Sequence, residues 1–413
     1  MNRKLLLRQS FGQRGYKAAF IVVLNSFSWY FPLYVLFLNA LGNRMEYSML
    51  LPTLGVHYAV AVAFAFLGNF LTSRFGRNKL LSVWMLTGIV ASASMVFVNT
   101  GHVELVLLAS FLLGLSVGLG FPSCLSLFGD YATVENRGLL GGIAFSFACL
   151  GMLLFGLVAA FVDITLGAFI FTLWRCVGLA IFLRTKPQEK NEGVLNSVSY
   201  TEVVHDKGLI LYMIPWVMFC VINWLEIPFF DLQLQQQYLG TNLRYMISIG
   251  EFGIGGISSL IGGLLSDIIG RKRLIILAYV LVGIGYAAVS FSSMNPFFFY
   301  FYVLVDGIAW GIFMLMFFLT IWGDLAENRS KEKYYLMGTL PFLVSSFIPA
   351  IVTPYAGAIP VFTAFSLASF FLFLAILPLV YAPETLPEKE IKERELKGYI
   401  EKAKKMRGKK TST

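Results

Sequence analysis

The sequence predicts an all-α membrane protein with twelve transmembrane helices, arranged as two parallel repeats of six helices. Of its residues, 57% are hydrophobic and only 13% are charged, against about 25% charged in soluble domains. Apolar stretches of about 20 residues recur along the chain, and each is long enough to cross a bilayer as a helix. A loop that occurs twice, half a chain apart, indicates the duplication.

In both copies of this loop an apolar run ends, the chain turns at a glycine followed by an arginine, and a second apolar run begins. Gly76 and Gly270 are 194 positions apart (270 − 76), and Asp130 recurs as Asp324 at the same offset. Because each half has an even number of helices, both copies must have the same orientation in the membrane. The two copies occupy residues 69–79 (NFLTSRFGRNK) and 263–273 (GLLSDIIGRKR).

Twelve apolar runs determine the positions of the predicted helices. They predict an N-terminal six-helix bundle over residues 1–183, a polar linker over 184–207, a C-terminal six-helix bundle over 208–381 and a charged tail over 382–413. The predicted helices span approximately residues 18–41, 49–70, 80–98, 105–128, 138–161, 164–183, 209–230, 246–266, 274–291, 297–322, 335–355 and 359–381.

The basic residues predict the orientation. With both termini in the cytoplasm, all of the 32 Lys and Arg residues except Arg44, Arg175 and Arg244 fall in or beside cytoplasmic segments, as the positive-inside rule requires. This bias accounts for the net charge of +9 without a nucleic-acid partner. The predicted localisation is therefore the cell membrane, as a multi-pass protein with cytoplasmic termini. The four cysteines lie in apolar runs and are interpreted as small apolar residues, so no metal site is expected.

The two loops resemble the signature of the major facilitator superfamily of transporters, G-x-L-x-D-R-x-G-R-K. The resemblance extends over nearly the whole chain and implies two six-helix bundles that rock around a central cavity. The second copy matches at Gly263, Leu265, Asp267, Gly270, Arg271 and Lys272, and departs at Ile268. The first copy matches at Leu71, Arg74, Gly76 and Arg77, and departs at Asn69, Ser73 and Asn78.

The resemblance also implies that charged residues of these loops latch the two halves together in the outward-open state. Asp267 lies at a helix end, where it can accept hydrogen bonds from the N-terminal amides of a helix in the other half. Ser73 has no charge, so we predict that the Asp267 latch is the stronger one. An alternative is that the charges only anchor the loops. The candidate latch residues are Arg74, Gly76, Arg77, Asp130, Glu135, Arg137, Asp267, Gly270, Arg271, Asp324 and Glu327.

In this family helices 1, 4, 7 and 10 line the cavity, and charged residues inside membrane helices usually face such a cavity. Asp306 and Glu226 are therefore candidates for proton coupling, with a structural role as the alternative. Arg175, in peripheral helix 6, and the lone His57 are interpreted as structural. Aromatic and amide side chains at matching depths suit a polar organic substrate such as a sugar. The candidate substrate and coupling residues are Asn25, Trp29, Tyr30, Asn223, Trp224, Glu226, Asp306 and Trp310.

The function predicted from the sequence is secondary transport of a sugar or similar small organic solute, coupled to protons. The segment Pro383-Glu384-Thr385 resembles the P-E-T of the sugar-porter branch. One alternative is drug or metabolite efflux, although predicted helix 5 lacks the proline of the drug-antiporter motif and Ser110 replaces its arginine. A second alternative, from another class, is a non-transporting receptor of the same fold, which the short tail disfavours.

The expected partners are a small-molecule substrate, protons and the lipid bilayer. Because the chain contains no G-x-x-x-x-G-K-[ST] loop, ATP is not expected to drive it. No cofactor and no enzymatic activity are expected. One chain is expected to enclose a full site, so the predicted functional unit is the monomer.

Overall fold

Twelve helices, each long and apolar enough to cross a membrane, make up most of the computed structural model, which describes residues 14–42, 45–188, 198–237, 241–292, 294–327 and 329–386. Residues 1–13, 189–197 and 387–413, which are parts of the predicted N-terminal bundle, linker and tail, lie outside the described residues. The helix bounds are α1 Arg14–Gly42, α2 Tyr47–Phe75, α3 Arg77–Thr100, α4 Val103–Tyr131, α5 Arg137–Phe161, α6 Ile164–Thr185, α7 Lys207–Gln237, α8 Thr241–Ile269, α9 Arg271–Val289, α10 Pro296–Leu325, α11 Lys331–Ala358 and α12 Val361–Tyr381.

We call α1–α6 the first half and α7–α12 the second half. The end of the helices at which Gly76 and Gly270 lie is the loop face, which the sequence predicts to be cytoplasmic. A short linker helix, Tyr200–Val204, precedes α7 at this face. Gly76 and Gly270 have backbone φ angles of 85° and 101°, a conformation that glycine adopts without strain.

The helices extend beyond their apolar runs. Helix α3 begins at Arg77 and α9 at Arg271, three residues before the predicted starts, because one glycine completes each turn. The polar stretch 231–245, predicted as a loop, is helical up to Gln237 and from Thr241 onward. The reason is that apolar residues mark the part of a helix in the bilayer, whereas backbone hydrogen bonding continues into the polar interface.

The halves meet along two seams, one between α5 and α8 and the other between α11 and both α2 and α4. Glycines bring the α5 and α8 backbones into contact in the first seam. A Cβ atom added to Gly263 would lie 2.3 Å from the carbonyl oxygen of Gly138, and one added to Gly142 would lie 2.6 Å from that of Ser259. Small residues allow such close approach between membrane helices, so this seam has no room for side chains at these positions.

Helix α10 contains a π-helical segment, Leu315–Thr320, in which every residue is buried. Such segments are rare and occur frequently at functional sites. Along α10 this segment lies between Asp306 and Trp310 on one side and Asp324 on the other. One helix therefore joins candidate coupling, substrate and latch residues.

We predict that Gly263→Ala destabilises the protein, whereas Gly250→Ala in the same helix does not. The added methyl group at Gly263 must displace the α5 backbone, at a cost of about 1–3 kcal/mol. Gly250 has no atom within 4 Å of an added Cβ, so alanine there should be neutral or slightly stabilising because of its helix propensity. Thermal melting in detergent measures the difference, and equal melting temperatures would contradict the packing described for this seam.

Candidate functional site

A buried ion cluster at the loop face surrounds Asp324 of α10. Its carboxylate accepts hydrogen bonds from Arg137 of α5, from the Nε of Arg271 at 3.3 Å and from the Oγ1 of Thr385 at 3.0 Å. The side chains of Arg271 and Asp324 are fully buried. Because Arg137 belongs to the first half and Asp324 to the second, this Asp324 cluster joins the two halves.

A second cluster surrounds Asp130 of α4, which pairs with Arg77 of α3 and with the Nζ of Lys331 in α11 at 2.9 Å. Glu332 of α11 adds a contact of 2.5 Å to the Nε of Arg77. This Asp130 cluster also joins the two halves, since α11 belongs to the second half.

The two clusters are related by the sequence repeat. Adding 194 to 77, 130 and 137 gives 271, 324 and 331, so the central aspartate and two basic residues of one cluster correspond to those of the other. Sequence reasoning identified Asp130, Asp324 and the arginines but missed Lys331 and Glu332. Lys331 could have been found by applying the offset to Arg137.

Asp267 forms the contact to the other half that its position suggests. Its Oδ1 and Oδ2 accept hydrogen bonds from the backbone amides of Gly138 and Leu139, at 3.1 and 2.9 Å, at the N-terminus of α5. Its Oδ1 also lies 2.6 Å from the Nη1 of Arg271. At the equivalent position of the first half, the Ser73 hydroxyl is exposed and donates to a carbonyl of its own helix.

The other candidate latch residues lie around this network. Arg74 stacks over a phenylalanine of its own helix, with 4.8 Å between the guanidinium carbon and the ring centroid. Glu135 and Glu327 are exposed at the loop face. Partial burial raises the pKa of Glu327, and the nearby Arg137 opposes this shift.

Glu384 is a further residue of the loop face, which sequence reasoning treated only as part of a family motif. Its carboxylate accepts hydrogen bonds from the backbone amides of Arg271 and Lys272, at 2.8 and 3.1 Å. These are free amides of the first turn of α9, where a negative charge is favourable. Glu384 therefore fixes the second loop to the segment that follows α12.

We predict that Asp267→Asn increases the population that is open at the loop face by about tenfold or more, because hydrogen bonds to a charged group are worth about 1.5–3 kcal/mol. Ser73→Ala should leave this population unchanged. Spin labels at Lys79→Cys and Arg273→Cys, both exposed on different halves, report the opening as a distance distribution. The background carries Cys176→Ala, since the other cysteines are buried.

The control for this comparison is the Asp267→Glu variant, which keeps the charge and tests whether side-chain length matters. A shift of the distance distribution in Ser73→Ala, with none in Asp267→Asn, would contradict the assignment of Asp267 as the stronger latch.

The middle of the interface between the halves is filled by aromatic rings. Phe318 of α10 lies 5.7 Å from Phe27 of α1 and 5.6 Å from Phe121 of α4, measured between ring centroids. Phe342 of α11 lies 6.0 Å from Phe31 of α1. These contacts close the centre of the interface in this conformation.

Three candidate substrate residues lie beside this aromatic cluster. Trp224 and Trp310 have ring centroids 5.5 and 6.3 Å from that of Phe342. The Nε1 of Trp310 donates to the Oδ1 of Asn223 at 2.7 Å. The Nε1 of Trp224 is buried and has no hydrogen-bond partner among the described residues. The site therefore contains neutral polar groups and an unused donor.

Tyr30 adds a hydroxyl group to this region. It is half-buried, neighbours Phe31 of the central cluster, and its hydroxyl lies 3.0 Å from the Nε2 of His57. The other ring nitrogen of His57 lies 3.4 Å from the carbonyl oxygen of Ser110. Since a carbonyl only accepts, this ring nitrogen must carry the proton, and the Tyr30 hydroxyl then donates to Nε2.

Asn25 and Trp29 point into the first half, which corrects the expectation that they line the cavity. The Oδ1 of Asn25 accepts from the Nη1 of Arg175 at 2.8 Å, and the Nε1 of Trp29 donates to the Oγ of Ser92 at 2.6 Å. Arg175 is fully buried between Trp29 and Trp84, 4.5 and 4.3 Å from the ring centroids. Asn25 and Trp29 face α3 and α6 because their polar groups find partners there.

Glu226 and Asp306 form a pair of carboxylates in the second half. The Tyr302 hydroxyl donates to Glu226, at 2.8 Å from Oε1 and 3.0 Å from Oε2. Asp306 is buried, and its Oδ1 has no hydrogen-bond partner among the described residues. Tyr302 lies one helical turn before Asp306 on α10, so its hydrogen bond to Glu226 places the two carboxylates near each other. Within the described part of the chain neither carboxylate has a basic partner in its hydrogen bonds or ion pairs.

The architecture is that of a membrane transporter: the described residues form twelve helices that can cross a membrane, in two parallel halves, with ion clusters that join the halves at one face. The family model of the Major Facilitator Superfamily matches residues 18–333. The chain therefore belongs to the major facilitator superfamily, and it is a transporter-family protein and not an enzyme.

Solved structures share this fold at low sequence identity. The proton:xylose symporter XylE, bound to 6-bromo-6-deoxy-D-glucose, matches with a TM-score of 0.70 and 14% identity, over 90% of this chain and 96% of its own. The human organic anion transporter MFSD10 (TETRAN) matches with a TM-score of 0.66 and 14% identity, over 89% of this chain and 99% of its own. No curated protein sequence matches this chain.

Proposed function

We propose that the protein is a proton-coupled secondary transporter of a small neutral polar solute, such as a sugar. In this proposal the bundles 1–183 and 208–381 rock around the central aromatic cluster, and the loop face is cytoplasmic. The observation that carries the proposal is the Glu226–Asp306 pair. Two neighbouring carboxylates inside the membrane, with no cation paired to them among the described residues, are best explained by a function that uses them.

A proton shared by Glu226 and Asp306 lowers the free-energy cost of burying the two carboxylates. Two negative charges in a low-dielectric interior repel each other and lose their hydration, so binding one proton is favourable. The Tyr302 hydroxyl donates to Glu226, and Asp306 is the natural carrier of the proton. Loading and release of that proton would change the charge at the centre of the second half.

The proton and substrate sites are one helical turn apart. Glu226 follows Asn223 by three residues on α7, and Asp306 precedes Trp310 by four on α10. Side chains at these spacings lie on the same helix face, and Asn223 and Trp310 are hydrogen-bonded to each other. A change in protonation can therefore alter the substrate site directly.

The polarity of the site supports a neutral solute. Trp224 offers a free donor, Asn223 an amide, and Tyr30 a hydroxyl oxygen that can still accept. Aromatic rings beside such groups are typical of sugar sites. The fold of XylE, which carries xylose with protons, agrees with this substrate class. The organic anion transporter MFSD10 has a similar fold, so transport of an organic anion is the second candidate.

We expect the double variant Asp306→Asn, Glu226→Gln to lose uptake against a concentration gradient when purified protein in liposomes is given an inward proton gradient. Equilibrium exchange of the same solute should continue, because the substrate groups remain. Labelled monosaccharides, polyols and organic anions form the screen, and neutral solutes should be preferred.

The matched control for this test is Glu104→Gln, which removes an exposed carboxylate at the opposite face and should leave uptake unchanged. Concentrative uptake by the double variant would show that the pair is not the coupling site. Preferred transport of organic anions would favour the second candidate.

A further inference from the structure

The linker helix at the loop face is short but well defined. It begins with a capping box, in which the Ser199 hydroxyl accepts from the amide of Glu202 and the Glu202 carboxylate accepts from the amide of Ser199. This motif fixes a helix N-terminus through local sequence. It presents Tyr200, the first residue of the helix, to both halves of the protein.

Tyr200 contacts the first half through α2. Its hydroxyl donates to the Oδ1 of Asn69 at 2.8 Å, and its ring centroid lies 6.3 Å from that of Phe66. Burial and the neighbouring Glu332 raise the pKa of Tyr200, so the hydroxyl keeps its proton and remains a donor at neutral pH. Asn69 is buried, with 7% of its surface exposed. Loss of the hydrogen bond from Tyr200 would leave its buried amide oxygen without a donor, which is costly.

Tyr200 and its neighbours contact the second half through α11. The Nζ of Lys333 lies 4.9 Å from the centroid of the Tyr200 ring and donates to the carbonyl oxygen of Val198 at 2.5 Å. At the other end of the linker helix, Asp206 accepts from the Tyr334 hydroxyl at 2.8 Å. The linker helix is therefore bound to α11 at both ends and to α2 through Tyr200.

The repeat shows what Tyr200 replaces. In the second half, Asp267 bonds to Gly138 and Leu139 of α5. Adding 194 to 138 and 139 gives Glu332 and Lys333, at the start of α11. Ser73 is the counterpart of Asp267 but has no carboxylate, so it cannot form the equivalent contact with α11. Lys333 instead contacts Tyr200.

The contact with Tyr200 also explains why Asn69 stands where the family signature has a glycine. Its counterpart, Gly263, packs against the backbone of Gly138, where a side chain does not fit. The seam at α2 has space for the amide of Asn69, which reaches Tyr200. The departure at position 69 thus supplies the partner of Tyr200, in the same loop whose position 73 has no carboxylate.

We propose that Tyr200 is a clasp that holds α2 to α11 when the loop face is closed and takes the place of the carboxylate missing at position 73. Opening of the loop face separates Asn69 from Lys333, because the two residues belong to different halves. In the open state Tyr200 can keep its contact with only one of these two residues, so having both contacts favours the closed loop face. Asn69 and Tyr200 are in this view two further gating residues.

The test uses the same spin-label pair at Lys79→Cys and Arg273→Cys in the full chain. Tyr200→Phe and Asn69→Leu should each increase the population open at the loop face about three- to tenfold, the range expected for one buried hydrogen bond. The two substitutions combined should give no larger shift than either alone, because they remove one shared interaction. Tyr381→Phe, at a tyrosine that is 79% exposed, is the matched control.

Lys333→Met tests the contact with the second half without changing the hydrogen bond to Asn69, and it should also shift the population toward opening. Melting temperatures close to that of the parent protein show that each variant is folded. A Tyr200→Phe distribution equal to that of the control, or additive effects of Tyr200→Phe and Asn69→Leu, would overturn the proposal. The readout needs no substrate, so its outcome is separate from that of the transport assay.

Discussion

The closed loop face depends on buried charges that are paired both within each half and across the interface between the halves. The side chains of Asp324 and Arg271 are fully buried, and Arg137 reaches Asp324 from the other half. A buried ion pair gains little net stability, but the loss of one partner leaves a costly unpaired charge. When the halves separate, water can hydrate both partners at once. The network therefore favours two well-defined states over intermediate ones.

The sequence repeat explains why two such clusters exist, and its departures explain why they differ. The second half keeps Asp267 and the glycine that brings α8 against α5. The first half has Ser73 and Asn69 at these positions, and its seam includes contacts with the linker helix. Both seams therefore carry ion pairs between the halves. Backbone packing and the Asp267 carboxylate add to the first seam, whereas side-chain contacts with the linker helix add to the second.

The twelve helices could be predicted because apolar runs must cross the bilayer and the backbone there must be hydrogen-bonded internally. The predicted helix ends were less accurate. The helices that begin at Arg77 and Lys331 start earlier than predicted, because polar residues extend them into the interface. The family signature identified Asp267 and Arg271. Asn25 and Trp29 were misplaced because the direction that a helix faces depends on its neighbours, here Arg175 and Ser92. The contacts of Glu332 and Glu384 require the tertiary structure.

Helix α10 unites the parts of the proposed mechanism in one element. Asp306, Trp310, the π-helical segment Leu315–Thr320 and Asp324 follow one another along it, and Phe318 of that segment packs against the first half. A charge change at Asp306 acts on a helix whose other end pairs with Arg137. Coupling between two sites is reciprocal in free energy. In the proposed mechanism, pairing at the loop face therefore changes the free energy of proton binding by as much as the proton changes that of opening.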